Sequence, residues 1–224
     1  MKTSSNSYIP ALGHRWLTRF YDPVVRATTR ETTFKDALLQ QASIRDGQRV
    51  LDLGCGTGTL AVMVKRAHRS AQVFGLDADP EALRLARMKL EEAGIAVQVD
   101  QGRASALPYR AESFDRILSS LFFHHLPSES KLEAMREVLR VLRPGGEFHV
   151  ADWGKATSPL MRLAFMGVHL LDGFATTTDN VRGLLPDFLG LAGFEKVETA
   201  KCFSTLLGTV SLYQARKPDA SAER

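Results

Sequence analysis

Residues 50–60 read VLDLGCGTGTL. An apolar run with a single acid, Asp52, leads directly into glycines at 54, 56 and 58. Glycine weakens regular structure, so three of them after a strand-like run call for a local cause. The usual cause is a ligand that approaches the backbone closely. In an open α/β sheet such ligands sit outside the carboxyl ends of the strands. The dinucleotide fingerprint is G-x-G-x-x-G/A; Thr59 follows Gly58 here, so the pattern is G-x-G-x-G. The next apolar run, AQVFGLD, ends on Asp77 about 20 residues on, where a carboxylate accepts hydrogen bonds from both hydroxyls of a ribose. Loop and acid together fit an adenosine with a free ribose diol.

Outward from this stretch, strands and helices alternate. KDALLQQASI (35–44) reads as a helix that stops at Asp46-Gly47, and TLAVMVKRAH (59–68) has helical spacing. DPEALRLARMKLEEAG (79–94) carries helix punctuation, with Asp79 as N-cap, Pro80 in the first turn and Gly94 just past the end. AVQVD (96–100), DRILSSLFF (115–123) and EFHVADW (147–153) read as strands, and SESKLEAMREVLRVLRPGG (128–146) as a helix closed by a glycine turn. A second short helix, PDFLGLAG, starts at Pro186. Alternation of this kind predicts a doubly wound, mostly parallel sheet covered on both faces. FEKVETAKCF and TVSLYQARK are separated by too few residues for a crossover helix, so they form an antiparallel hairpin at the end. The expected organisation is an N-terminal helical cap over 1–34, a core over 35–218 and a polar tail over 219–224.

Composition narrows the class. The 224 residues are 44% hydrophobic and 24% charged, which suits one globular domain. Lys and Arg total 29 against 25 acids, a mild and dispersed excess that makes no nucleic-acid face. Contact with a membrane surface remains open. Cys55 and Cys202 are too few for a disulfide framework, which favours a reducing cytoplasm. The first ten residues are polar and lack the apolar core of a signal peptide, and no stretch approaches a membrane span.

The ordered motifs VLDLGCGTG, GLDADPEAL, LPYRAESFDRILSS and LRVLRPGGEFHVAD resemble those of class I S-adenosylmethionine-dependent methyltransferases. The resemblance is nearest to the small-molecule branch that includes the ubiquinone/menaquinone C-methyltransferases. It is strong over residues 46–153 and weaker beyond. It implies S-adenosylmethionine as cofactor and a small, lipophilic or quinone-like methyl acceptor as substrate. It also implies that Asp52 orients the glycine loop through backbone hydrogen bonds. Gly54, Gly56 and Thr57 then line the methionine part of the cofactor, Asp77 holds the ribose and Ala78 lies against the adenine. GRASALPY places Arg103 and Ala104 at the adenine edge, and Ser120 falls beside the methionine amino group. Relatives often carry Asp or Asn at the Arg103 position, and an arginine cannot accept the adenine amino hydrogen bond. Either backbone and Ala104 recognise the base, or Arg103 turns outward or stacks on the ring.

The acceptor side is read from composition. LFFHHLP (121–127) follows the fourth strand; its histidines either pack locally, which is the favoured reading, or transfer a proton, for which His125 is the candidate ahead of His124. Trp16, Phe20 and Tyr21 either form a lid over the site or fasten the N-terminal helices. Met161, Phe165 and Met166 lie in an apolar stretch (158–180) that either covers the substrate or packs on the sheet. Adjacent histidines without a supporting carboxylate or thiolate cluster do not make a metal site. Two other readings stay open: a non-catalytic protein that binds S-adenosylmethionine for regulation, and an NAD-linked oxidoreductase, which Thr59 and the closing hairpin disfavour.

Overall fold

The computed structural model describes residues 30–156 and 174–220. In chain order the elements are α1 (Glu31–Ala42), β1 (Arg49–Leu53), α2 (Thr59–Ala67), β2 (Gln72–Asp77), α3 (Pro80–Glu92), β3 (Gln98–Gln101) and β4 (Phe114–Ser120). A 3-10 turn (Phe123–His125) follows, then α4 (Ser128–Val141), β5 (Leu142–Trp153), α5 (Phe174–Arg182), α6 (Leu185–Ala192), β6 (Glu195–Thr205) and β7 (Gly208–Arg216). The seven strands form one sheet in the order β3-β2-β1-β4-β5-β7-β6. The first five pair with one another in parallel, and β7 is antiparallel to both β5 and β6. The doubly wound sheet and its closing hairpin therefore match the sequence expectation. An antiparallel β7 between β5 and β6 also departs from the order of a dinucleotide-binding sheet, in which a parallel sixth strand follows the fifth.

Strand alternation sorts side chains into two apolar layers. Leu51 and Leu53 of β1 join Leu76, Phe114, Met135, Phe148 and Leu189 on one face. Val50 points the other way, among Phe34, Leu38, Leu60, Val64, Leu118 and Trp153 beneath α1 and α2. Asp52 shares the parity of Val50 and is therefore driven into this second layer. β1 sits between β2 and β4, with connections leaving in opposite directions, so the crevice of a doubly wound sheet opens at its carboxyl end.

Local signals set the element ends. Asp79 caps α3 by accepting from the Glu81 amide at 2.9 Å, Pro80 occupies the first turn, and Gly94 follows with φ +64°. Two sequence expectations need correction. α1 runs from Glu31 to Ala42, so it starts inside the segment assigned to the cap and stops before Asp46-Gly47. Phe34 is fully buried and belongs to the core. The glycine turn expected after α4 is not a separate loop; β5 takes over at Leu142 and absorbs Gly145 and Gly146 as an irregularity against β4. The edge strand β6 carries Glu195, Lys196, Glu198 and Lys201 and two register shifts, features that discourage edge-to-edge pairing.

Because Phe34 anchors α1 to the sheet, Phe34→Ala is expected to lower stability by about 3–5 kcal/mol. A chain starting at Lys35 should likewise unfold at clearly lower denaturant than one starting at Arg30. Equal midpoints for the two truncations would show that α1 contributes no packing through its first turn.

Candidate functional site

The site is built on the exit of β1. The Gly54 and Cys55 amides both donate to the Leu76 carbonyl, at 2.8 and 3.0 Å, which bends the chain off β1 and across the end of β2. Gly54 has φ +72°, and a Cβ there would lie 2.3 Å from the Phe122 ring. Gly56 has φ +52°, yet a Cβ there would meet nothing within 4 Å. One glycine is thus required by packing. The other faces open space while keeping a left-handed backbone that presents its amide edge. Thr57 is buried, and its hydroxyl accepts from Lys89 Nζ at 3.0 Å. Burial pushes the Cys55 thiol well up, so this cysteine stays a neutral, space-filling group.

Asp77, the last residue of β2, holds the loop. Its Oδ2 accepts from the Gly56 amide at 2.8 Å and its Oδ1 from the Asp79 amide at 3.0 Å. Burial raises its pKa, opposed by these amide bonds. Ala78 is half-buried beside it, and its carbonyl accepts from Gln101 Nε2 at 3.3 Å. Across the crevice, the chain bends back where the Ala106 amide donates to the Arg103 carbonyl at 3.1 Å. Arg103 is exposed and Ala104 is buried, which favours the outward alternative for the arginine. At the end of β4 the Ser119 hydroxyl donates to the Leu53 carbonyl at 2.9 Å, whereas the Ser120 hydroxyl is buried without a partner.

Asp52 departs from its expected role. It is 1% exposed, and its Oδ2 has no hydrogen-bond partner. Burial pushes its carboxyl up to about 7; the Lys35 ammonium and the Ala61 amide pull the other way, and Asp77 adds to the rise. The amide that Asp52 holds is in the first turn of α2, and it is Asp77 that ties down the glycine loop.

The turn after β4 is organised by Asp152, a fully buried residue of β5. Asp152 Oδ2 accepts from the amides of Phe122, Phe123 and His124 at 3.2, 2.7 and 3.3 Å. Its Oδ1 accepts from the Trp153 amide and faces His124 Nδ1, both at 2.7 Å. A carboxylate only accepts, so Nδ1 carries the hydrogen in this contact. The carboxylate-supported histidine is therefore His124, not the His125 favoured by the sequence. His125 lies against the His124 ring with centroids 3.9 Å apart, and burial, with the neighbouring His124 ring adding to it, lowers its pKa well below the ordinary histidine value. Helix α5 packs on this turn. It is pinned to α4 by Asp179, whose Oδ2 accepts from Ser128 Oγ at 2.6 Å and from the fully buried Lys131 Nζ at 3.1 Å. Trp16, Phe20, Tyr21, Met161, Phe165 and Met166 lie outside the described residues. Among the described residues no group of three or more His, Cys, Asp or Glu is placed to hold a metal ion. No described helix is long and apolar enough to cross a membrane.

Residues 50–146 match the family described as "Methyltransferase domain". Among curated proteins, the chain is 36% identical over 133 residues to "Methyltransferase GfsG" of Streptomyces halstedii, covering 58% of this chain and 46% of that one. It is 32% identical over 128 residues to the "Ubiquinone/menaquinone biosynthesis C-methyltransferase UbiE" of Bordetella parapertussis, covering 57% and 49%. Among solved structures, the S-adenosylmethionine-dependent methyltransferase SibL superposes with a TM-score of 0.74 at 24% identity, over 97% of this chain and 64% of that one. Residues 50–146 thus match a methyltransferase domain, and the relatives and solved structures support the class I S-adenosylmethionine-dependent methyltransferases as its kin. It spans about half the length of the curated relatives it matches.

The residues of this methyltransferase domain fit the cofactor that defines its class. Open space over Gly56, the unpartnered Ser120 hydroxyl and the partly accessible Asp77 all lie at the carboxyl ends of the neighbouring strands β1, β4 and β2. Asp152 and Lys35 escaped the sequence reading. Asp152 ends the motif LRVLRPGGEFHVAD, which assigned it no role, and Lys35 is one cation on a helix. Only pairing between distant segments gives either a role.

Asp52 supplies a pH test. The carboxyl is ordinary in the unfolded chain, at 3.8, and is raised to about 7 in the fold. The folded state thus binds the extra proton between these values, and stability falls as pH rises from 4 to 7. Asp52→Asn removes the penalty. Urea unfolding without cofactor should show the variant more stable than wild type by a few kcal/mol at pH 8, with the gap closing towards pH 4. A gap independent of pH would mean that Asp52 is ionised throughout.

Proposed function

We propose that this chain transfers a methyl group from S-adenosylmethionine to a small, lipophilic or quinone-like acceptor. The observation that carries this reading is the carboxyl-end crevice itself, where a left-handed Gly56 faces open space and is tied by its amide to the ribose-binding acid Asp77. When bound, the cofactor supplies an electrophilic methyl group on a sulfonium. The chain's own task is to bind, orient and exclude water. In this reading Gly54, Gly56 and Thr57 present backbone to the methionine part, Asp77 accepts from the ribose hydroxyls, and Ala78 and Ala104 flank the adenine. Ser120 offers its unpartnered hydroxyl to the methionine end.

The acceptor enters over the turn that Asp152 fixes. His124 is the better-supported proton acceptor for an acceptor hydroxyl, because Asp152 sets its tautomer and stabilises the imidazolium that forms. Asn180 on α5 is fully buried with both amide atoms unpartnered. A buried amide left unpaired is costly, which supports an acceptor with oxygen functions beside its apolar body. Names among the relatives, the ubiquinone/menaquinone and demethylmenaquinone methyltransferases, lend the same support. Trp16, Phe20, Tyr21, Met161 and Phe165 are proposed as its apolar contacts.

Asp77→Ala removes charge-assisted bonds worth roughly 1.5–3 kcal/mol each. Calorimetry should show S-adenosylmethionine binding at least about tenfold weaker, with the α/β circular dichroism spectrum retained. NADH should give no comparable heat with the wild type. An unchanged dissociation constant in a folded variant would remove Asp77 from the site, and with it the main support for the reading.

A further inference from the structure

The RPGG stretch that opens β5 (143–146) has no part in the carboxyl-end crevice. It walls a second cavity of about 330 Å³. β4 and β5 begin beside this cavity and the antiparallel β7 ends there, so it lies at the amino edge of the parallel strands. Arg116 in its lining and Ser120 at the crevice are four residues apart on β4, or about 13 Å of strand. Four arginines reach the cavity from separate parts of the chain: Arg45 from the loop after α1, Arg116 from β4, Arg143 from β5 and Arg216 from β7. Arg116 is buried; its Nε donates to the Ala42 carbonyl and its Nη1 to the Asp115 carbonyl, both at 2.9 Å. Arg143 Nη1 donates to Asp115 Oδ1 at 2.6 Å, and Arg216 Nη2 to Asp219 Oδ2 at 2.8 Å. A Cβ at Gly145 would lie 2.5 Å from Asp219 Oδ1 and 3.0 Å from Arg216 Nη2, so glycine leaves room for that pair over the cavity wall.

The guanidinium groups are oriented but not used up. Each has five N–H donors, and bonds to described residues take up at most two on any of the four. The two acids of the lining are engaged. Asp115 also accepts from the Arg49 amide at 2.8 Å, and Glu147 Oε2 faces Arg116 Nε at 3.4 Å. Four cations against these two acids and Asp219 leave positive charge in excess among the described residues. Arginine forks match phosphate oxygens. Donors arriving from four elements suit a tetrahedral, multiply charged group better than a planar carboxylate, which a single fork satisfies. A cavity of this volume falls at the small end of the range for ligand sites, about 300–1,000 Å³. We propose that this cavity binds a phosphate or diphosphate group carried by a small molecule. The site is separate from the methyl-transfer crevice and stands independently of the reaction there.

Titration calorimetry of the full chain with sodium pyrophosphate, at constant ionic strength, should show one saturable site. Arg45 and Arg143 are exposed, so Arg45→Gln combined with Arg143→Gln leaves the core intact. The double variant should bind pyrophosphate at least about tenfold more weakly, because charge-assisted bonds are lost. Its affinity for S-adenosylmethionine should stay at the wild-type value. Glycerol 3-phosphate should compete with pyrophosphate on the wild type, and citrate should not. Heats that fail to saturate, or binding unchanged in the double variant, would mean diffuse attraction to a basic surface and overturn the proposal. Displacement of pyrophosphate by S-adenosylmethionine would move the anion to the carboxyl-end crevice and overturn it too. Citrate binding as tightly as pyrophosphate, or no competition from glycerol 3-phosphate, would overturn the ligand class. The competition measurements need no variant, so they decide the matter even if the double variant folds poorly.

Discussion

The hydrogen bond from the Gly56 amide to Asp77 joins the two halves of this site. β1 and β2 are parallel neighbours, so both end on the same edge of the sheet, and the chain leaving β1 must cross the tip of β2 to enter α2. A loop that short cannot satisfy its own amides. The Leu76 carbonyl takes two and Asp77 takes a third. Asp77 in turn accepts from Asp79, whose side chain caps α3. One carboxylate thereby fixes the entry to two helices and stands at the mouth of the crevice. The left-handed glycines follow from this, because the loop reaches Asp77 only with positive φ, and at Gly54 the Phe122 ring leaves no room for a side chain.

What the sequence reveals follows the range of the interactions involved. The strands of the parallel half, the capped helix α3 and the terminal hairpin were legible because apolar period, cap residues and turn spacing are local properties. The glycine loop and Asp77 were legible because their partners are fixed by the βαβ unit itself. The start of α1 was not. Nothing between residues 30 and 35 marks a boundary, and only the sheet's apolar underside makes Phe34 a core residue. The choice between His124 and His125 was equally closed to inspection. Adjacent residues of one type differ only in which way the turn points them, and Asp152 decides that from 28 residues away. Arg103, a departure from the usual pattern, is exposed, which favours its outward alternative.

The turn after β4 illustrates a second kind of constraint. Its backbone is awkward, with Leu121 at φ +53°, a conformation that side chains with a Cβ rarely adopt. The structure holds it by directing three consecutive amides and an imidazole onto one buried carboxylate. Local strain at the carboxyl edge is balanced by hydrogen bonds from a neighbouring strand, which is how functional turns commonly persist. The turn is therefore held firmly where His124 sits, and α5, which packs on it, is held to α4 through Asp179 and Lys131.

The buried acids at this edge can be ranked by how well each is served. Asp152 collects four amides and an imidazole. Asp77 collects the amides of Gly56 and Asp79 and keeps partial contact with solvent. Asp52 has the Ala61 amide, the pull of a lysine already paired to Glu31, and one bare oxygen. Desolvation raises the pKa of both Asp52 and Asp77, and donor supply separates them. Asp77 holds the amides of Gly56 and Asp79, whereas the carboxyl pushed up to about 7 is the one with a bare oxygen, on the strand that opens directly into the glycine loop.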